Sequence, residues 1–327
     1  MPGSERDLTV AVTGPTGTFG FGLVPLLQAD ERVARVVGIA RRPFDPAVYG
    51  WTKLDYRRGD VRDQQALQDA FAGADVVVHL AFLITGAASR QVIRAINVGG
   101  TLNAFRAAAA AGARRFVFAS SVAAYGFHPD NPVGMTEEWP VRPAARLFYA
   151  QEKAELERLL LAEAAQFPGL AVYLLRPSIV LGPHTMGGKA LLPGPLGRLV
   201  GRVSRLPLPV VVPALPLQLV HEEDVGRALL RCVVAGGPPG AYNIAADGIV
   251  TAADVARELG LLTLPVPPGP AQVMAGALAA VPFLPPVAGW VEAASHPAIM
   301  DTTRAKKELG WAPRFSALET LRDTLRT

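Results

Sequence analysis

The sequence predicts an α/β protein built on a doubly wound parallel sheet with helices on both faces. Three observations predict it. β-Branched runs alternate with helical patterns over residues 1–182, the runs are apolar on both faces, and three evenly spaced glycines join the first run to the first helical pattern. With 327 residues, half of them apolar, the chain can bury a large core.

Taken in order, the predicted strands are LTVAVT (8–13), RVVGIA (35–40), KLDYRR (53–58), DVVVHLA (75–81), RFVFAS (115–120) and AVYLLRP (171–177). Helical patterns lie between them near 18–29, 63–72, 89–112 and 145–166. After residue 182 glycine and proline become frequent, and strand and helix return over 217–247. This predicts a dinucleotide-binding domain of 1–182 rejoined by 217–247. A smaller, discontinuous substrate lobe is expected from 183–216 and 248–312, with a C-terminal helix in 313–327.

Composition narrows the function. Only 18% of residues are charged, too few for a disordered chain. The net charge of +4 is carried by scattered arginines without a basic stripe, so no nucleic-acid partner is expected. Cys232 is the sole cysteine, which excludes an internal disulfide and a cysteine zinc site and fits a cytoplasmic protein. No bound metal is expected, and a small buried apolar role suits Cys232. The polar opening MPGSERD has no h-region of a signal peptide. The apolar stretches 206–220 and 261–290 are broken by prolines, so they suit a pocket wall better than a transmembrane segment.

The glycines Gly14, Gly17 and Gly20 in TGPTGTFG follow strand 1 and open helix 1. A tight turn, close approach of a pyrophosphate, and close packing of helix on strand require them in that order. The helix N-terminus then presents unpaired N–H groups to phosphates. The turn, Gly14, Thr16, Gly17, Thr18, Phe19 and Gly20, is therefore expected to hold a dinucleotide in a Rossmann fold.

Strand 2 ends in Ala40 followed by Arg41 and Arg42, with no carboxylate before Asp45. A carboxylate there would suit the ribose of NAD, whereas arginines suit the 2′-phosphate of NADP, so NADP is favoured over NAD. The alternative is a pair of solvated loop cations. In GDVRD, Asp60 is placed to face the adenine amino group and Val61 its ring, while Asp63 suits a helix cap.

Tyr149 and Lys153 in FYAQEKAELERLL stand one helical turn apart on one face. A phenol ionises too high for acid/base work at neutrality, and an adjacent ammonium lowers it. Alone, such a pair is commonplace on a surface. Ser120 and Ser121, at the carboxyl end of strand 5, put further polar groups at the sheet edge where open α/β folds bind ligands.

TGPTGTFG, GDVRD, VVHLAF, INVGGTLN, SSVAAYG, YAQEK, LRPSIVLGP, VHEEDV, YNIA and TTRAKKELGWAP follow in order over almost the whole chain. In this it resembles the extended short-chain dehydrogenases/reductases, a family of NAD(P)-dependent epimerases, dehydratases and reductases. The resemblance implies that Tyr149 is the catalytic acid/base, that Lys153 assists it and bonds the nicotinamide ribose, and that Ser121 bonds the substrate oxygen. It further implies that Ala81 and Phe82 lie beside the cofactor and that Pro177, Ser178 and Ile179 pass its nicotinamide end. Asn97 resembles a structural, often water-binding asparagine of that family. His79 is expected to end a buried strand and His221 to support the return of the chain, while His184 stands where the substrate lobe begins.

Members that act as 4,6-dehydratases carry Asp and Glu where this chain has Val122 and Ala123, so that subclass is disfavoured. NADP suits net reduction, and the apolar stretch 261–290 suits a small apolar carbonyl or alcohol substrate. A nucleotide-sugar epimerase is the alternative, and a non-catalytic dinucleotide-binding or redox-sensing protein is a third reading of another class. A homodimer through the helices bearing Asn97 and Tyr149 is also expected by resemblance.

Overall fold

The computed structural model describes residues 7–84, 88–185, 210–213, 215–266 and 296–326. Six strands run β1 (Leu8–Thr13), β2 (Val33–Ala40), β3 (Leu54–Arg58), β4 (Val76–His79), β5 (Arg115–Ala119) and β6 (Ala171–Pro177). With the strand Gly240–Ile244 they form a seven-stranded sheet, in the order Gly240–Ile244, β6, β5, β4, β1, β2, β3. Every neighbouring pair is parallel. From β1 the chain steps outward through β2 and β3, then crosses back to lay β4 on the other side of β1. The order therefore reverses between β1 and β4, the point at whose carboxyl edge open α/β sheets bind ligands.

Both faces are covered, as the continuous apolar strands require. On one face lie α1 (Thr18–Ala29), the helix Glu222–Val233 and Trp311, packed on Val10, Val12, Val76 and Val78. On the other lie α2 (Gln64–Phe71) and, beyond the short α3 (Arg90–Arg94), α4 (Gly100–Ala110) and α5 (Phe148–Ala164). Their apolar sides meet Ala11, Val37, Val77 and Phe116. Cys232 is fully buried in the first layer, and burial pushes its thiol far above the ordinary range.

Most predicted boundaries hold within two or three residues, and the differences have local causes. β4 stops at His79 because the amides of Leu80 and Ala81 turn away to the hydroxyl of Thr13, at 3.1 and 3.2 Å. The pattern 89–112 contains one π-helical turn, Ala95–Gly99, between α3 and α4, and Ile96, Asn97 and Val98 are buried there. α2 starts at Asp63, whose carboxylate caps the amide of Ala66 at 3.1 Å, as expected. Ile179–Leu181 and Leu219–His221 form a separate parallel pair that joins the returning chain to the segment following β6.

Much of the predicted substrate lobe, at 186–209, 214 and 267–295, lies outside the described residues. Among the described residues no helix is long and apolar enough to cross a membrane. The chain ends in the helix Ala317–Arg326.

Two glycines set the spacing of the first helical layer. A Cβ on Gly226 would stand 2.0 Å from the carbonyl oxygen of Gly22, and one on Gly22 would stand 2.2 Å from that of Glu222. Both obstacles are helix backbone and cannot swing aside. Gly226→Ala is expected to force the two helices apart and lower stability by about 2–4 kcal/mol, read as a fall in the urea-unfolding midpoint.

Candidate active site

At the glycine turn, two of the three glycines answer to the chain itself. Gly14 has φ +69° and would bring a Cβ within 3.0 Å of the amide nitrogen of Ala81, and a Cβ on Gly20 would lie 2.1 Å from the carbonyl of Pro15. Gly17 is different. Its backbone is extended, at φ −94° and ψ 174°, and the nearest atom to a Cβ there is the oxygen of Gly14 at an ordinary 3.5 Å. Gly17 also supplies no side-chain cap to α1, so the first amides of the helix stay open to an anion. The turn thus fits a phosphate group arriving over Gly17, the glycine that internal packing does not demand.

Arg41 and Arg42 follow β2 and are exposed. Their backbone is held from β3: the carbonyl of Arg41 accepts from Arg58 Nε at 3.1 Å and that of Arg42 from the Tyr56 hydroxyl. Among the described residues neither guanidinium has a hydrogen bond or ion pair. Asp60 is engaged by Arg62, Nε to Oδ1 at 3.0 Å and Nη2 to Oδ2 at 2.8 Å, which holds its carboxyl below the usual range. Val61 is buried against Gly100, where a Cβ would meet Val61 Cγ2 at 2.4 Å.

His79 ends β4 and is a structural residue. The hydroxyl of Thr101 donates to the carbonyl of Asn97 at 2.5 Å, so at 3.0 Å it accepts from Nε2 of His79. Nδ1 is then the acceptor for the Thr13 hydroxyl at 2.9 Å. A neutral ring satisfies every partner, and burial, helped by Lys153, pushes His79 down to about 3.

The structure brings Ser121, Tyr149 and Lys153 together. Ser121 begins a 3₁₀ turn (Val122–Tyr125) after β5 and caps it, accepting from the amide of Ala123 at 3.1 Å. Its hydroxyl also hydrogen-bonds the phenol of Tyr149. One turn along α5, Lys153 donates from Nζ to the carbonyl of Ala119 at 2.5 Å and lies 3.6 Å from the ring centre of Phe82. The same Phe82 ring meets Tyr149 edge-on at 5.6 Å. Ala81 sits between Phe82 and the Gly14 turn, so both residues expected beside the cofactor line the switch point.

The charge states differ from the sequence expectation that an ammonium lowers the phenol. Here burial holds Tyr149 above its ordinary range, against a smaller lowering by Ser121. Burial pushes Lys153 down to about 7, and Glu157 and then Glu152 draw it back up. The lysine points at Ala119 and Phe82, and its Nζ lies 5.8 Å from the centre of the Tyr149 ring.

Sequence reasoning missed a buried network behind these residues. Glu157 accepts from Ser120 Oγ at 2.5 Å and from Arg176 Nε at 3.0 Å and Nη2 at 2.6 Å. Arg176 Nη1 donates to the hydroxyl of Tyr125 at 2.7 Å, and that hydroxyl donates to Asn243 Oδ1 at 2.8 Å. Glu157 was marked by its spacing, since Ala150, Lys153, Ala154, Glu157 and Leu160 make one buried stripe of α5. Ser178 is buried beside Pro177, and its hydroxyl has no hydrogen-bond partner among the described residues; Ile179 is exposed.

His221 and His184 hold the returning chain. His221 caps the helix Glu222–Val233 by accepting from the amide of Glu223 at 3.1 Å, and it stacks on Phe315 at 4.0 Å. His184 stacks on Phe21 at 4.4 Å, bonds Glu222 through Nδ1 at 2.6 Å, and accepts from Thr18 Oγ1 through its carbonyl at 3.1 Å. No cluster of three or more metal-ligating side chains occurs among the described residues.

With the glycine turn, the switch point and the Ser121, Tyr149, Lys153 group in place, family comparison is decisive: residues 10–245 match the NAD dependent epimerase/dehydratase family. The chain belongs to that family. Uncharacterized protein y4nG of Sinorhizobium fredii is 30% identical over 97% of this chain and 77% of its own length. Sterol demethylase protein B of Methylococcus capsulatus is 34% identical over 54% of this chain and 52% of its own length. Among solved structures, MoeE5 in complex with UDP-glucuronic acid and NAD is similar, at 25% identity, a TM-score of 0.69, and coverage of 97% of this chain and 98% of that one.

The buried neutral His79 makes this family member acid-sensitive. Below about pH 6.5 the unfolded chain takes up a proton that the folded ring refuses until about 3, so stability falls as pH falls through that window. The loss attributable to His79 is expected to grow by about 1.4 kcal/mol per pH unit. His79→Gln, which does not titrate, is expected to show a shallower fall in urea-unfolding midpoint between those limits.

Proposed function

We propose that the protein is an NAD(P)-dependent oxidoreductase that interconverts a small, apolar carbonyl compound and its alcohol. The observation that carries this reading is the hydrogen bond between Ser121 and Tyr149 at the switch-point edge, with Lys153 one helical turn away. The amides that follow Gly17 suit the pyrophosphate, and the Ser178 hydroxyl, which has no hydrogen-bond partner among the described residues, suits the nicotinamide end. A nicotinamide bound there supplies hydride transfer to or from the substrate carbon.

The chain's own residues handle the proton. Tyr149 gives its phenolic proton to the substrate oxygen in reduction and removes it in oxidation, while the hydroxyl of Ser121 polarises the same oxygen. A phenol held high by burial is a proton donor at neutral pH, and a nearby ammonium stabilises the phenolate left behind. Val122 and Ala123 put no carboxylic acid beside Ser121, which argues against water elimination.

NADP(H) is the preferred cofactor in this proposal. It rests on the two exposed arginines, whose guanidinium groups have no hydrogen bond among the described residues, and on the lack of a carboxylate at the end of β2. An apolar substrate is supported by the stretch 261–290 and by the likeness to sterol demethylase protein B. A second reading, a nucleotide-sugar epimerase, is favoured by the likeness to MoeE5, whose structure holds UDP-glucuronic acid and NAD. We also place the protein in the cytoplasm and infer a homodimer through the helices of Asn97 and Tyr149.

Fluorescence titration is expected to show tighter binding of NADPH than of NADH, with Arg41→Ala/Arg42→Ala closing the gap by about tenfold. Carbonyl compounds and nucleotide sugars are then screened with the tighter cofactor. Tyr149→Phe is expected to cut turnover by about 10²-fold or more while cofactor binding persists. Unchanged turnover in that variant would remove the assigned mechanism.

A further inference from the structure

β2 and β3 run side by side as far as Ala40, which stands opposite Arg58, and there the ladder ends. Beyond it the chain continues as Arg41, Arg42, Pro43 and Phe44. Backbone that runs past the end of a sheet has lost its strand partner, and its exposed carbonyls are ordinarily left to water. Here three successive carbonyls are held. That of Ala40 accepts from the amide of Gly59 at 3.0 Å and lies 3.2 Å from the Tyr56 hydroxyl. That of Arg41 accepts from Arg58 Nε at 3.1 Å, and that of Arg42 from the Tyr56 hydroxyl. Tyr56 and Arg58 are alternate residues of β3 and so project from one face. Their side chains carry the grip of the sheet two residues past its last pair.

The far end of this turn is fastened as well. The ring of Phe44 lies 5.4 Å from those of Tyr56 and Trp51 and stacks on Tyr49 at 5.2 Å. Asp45 then caps the 3₁₀ turn Pro46–Tyr49, accepting from the amide of Ala47 at 3.0 Å. Tyr56 thus meets the turn twice, through its hydroxyl at Arg42 and through its ring at Phe44. A surface cation on loose backbone gives up loop freedom as well as side-chain freedom when it meets an anion, and little net attraction is left. Backbone fixed beforehand removes the loop's share of that cost.

We propose that Tyr56 and Arg58 are positioning residues for cofactor choice: by holding the carbonyls of Arg42 and Arg41 they set the backbone that carries both guanidinium groups, and the preference for a 2′-phosphate depends on that hold. This rests on the reading above, in which Arg41 and Arg42 select NADP(H). Tyr56 and Arg58 act through those two arginines and not by touching the cofactor.

The test is a fluorescence titration of the full chain with NADPH and NADH. Tyr56→Phe keeps the ring against Phe44 and removes only the hydroxyl. It is expected to weaken NADPH binding about fivefold and to leave NADH binding within about twofold. In the Arg41→Ala/Arg42→Ala background the same substitution is expected to leave both affinities within about twofold, since the groups it positions are gone. An unchanged NADPH affinity in Tyr56→Phe overturns the proposal, as does an equal loss for both cofactors, which marks a general structural role. A further loss of NADPH affinity in the arginine-free background marks direct contact and overturns it too. Failure of the underlying reading looks different: the unaltered chain then binds NADPH no tighter than NADH, which overturns both. Should Tyr56→Phe not fold, as read by urea unfolding, Arg58→Gln releases the carbonyl of Arg41. It is expected to weaken NADPH binding about threefold when Arg41 and Arg42 are present and not when they are alanine. Equal losses in the two backgrounds are the signature of a missing charge alone and overturn the proposal, as does no loss in either.

Discussion

The site depends on placing one ammonium group, Lys153, inside the protein at the edge of a parallel sheet. Water would solvate that charge for nothing, and the interior must replace it with fixed groups. Here the replacements are the carbonyl of Ala119 at the end of β5, the face of Phe82, and the carboxylates of α5. Each comes from a different segment, so holding the lysine also registers α5, β5 and the loop after β4 against one another. Tyr149 and Ser121 are positioned by the same registration, because one rides on that helix and the other on the turn that leaves that strand.

Behind this first layer the Glu157 and Arg176 pair carries the registration further. Glu157 reaches Ser120, immediately before Ser121, and Arg176 reaches Tyr125 at the end of the same 3₁₀ turn. The turn bearing Ser121 is thus pinned at both ends by one buried ion pair. Tyr125 passes the connection to Asn243, whose Nδ2 donates to the carbonyls of Met135 at 3.0 Å and Asp301 at 3.1 Å. Breaking one member of such a network strands a buried charge, which makes the network intolerant of single changes and well suited to holding a hydroxyl in one place.

Local spacing carried much of this into the sequence. The glycine turn, the alternation of apolar runs, the Tyr149 and Lys153 face and the capping role of Asp63 all involve residues within a few positions of each other, where helix and strand geometry settle who meets whom. Glu157 belonged to the same stripe and was readable in principle. The rest needed the third dimension. Glu152 meets Asn97 across 55 residues, and Ser120 meets Glu157 across 37. No periodicity announces those meetings, nor the π-helical turn where Asn97 is buried. The phenol's upward displacement was missed for a related reason. Spacing shows that an ammonium is near, but not that its hydrogens are directed at Ala119 or that burial outweighs it.

What the chain's own packing explains and what it leaves unexplained divide the site in a useful way. Gly14 and Gly20 are glycines because Ala81 and Pro15 leave no room, whereas Gly17 has both room and an ordinary backbone. The arginines divide likewise: Arg62, Arg94, Arg106 and Arg142 are each paired with a carboxylate, while among the described residues Arg41 and Arg42 have no such pair, Arg41 acting on Asp60 only through space, although β3 fixes their backbone. Residue identities that folding does not require, set on backbone that folding holds firmly, are the ones left free to meet something outside the chain. Gly17 calls for a group that approaches the backbone closely, and the two guanidinium groups call for an anion. Under the function proposed above, a dinucleotide laid along the carboxyl edge from α1 would meet the first demand, and a phosphate on its adenosine ribose the second.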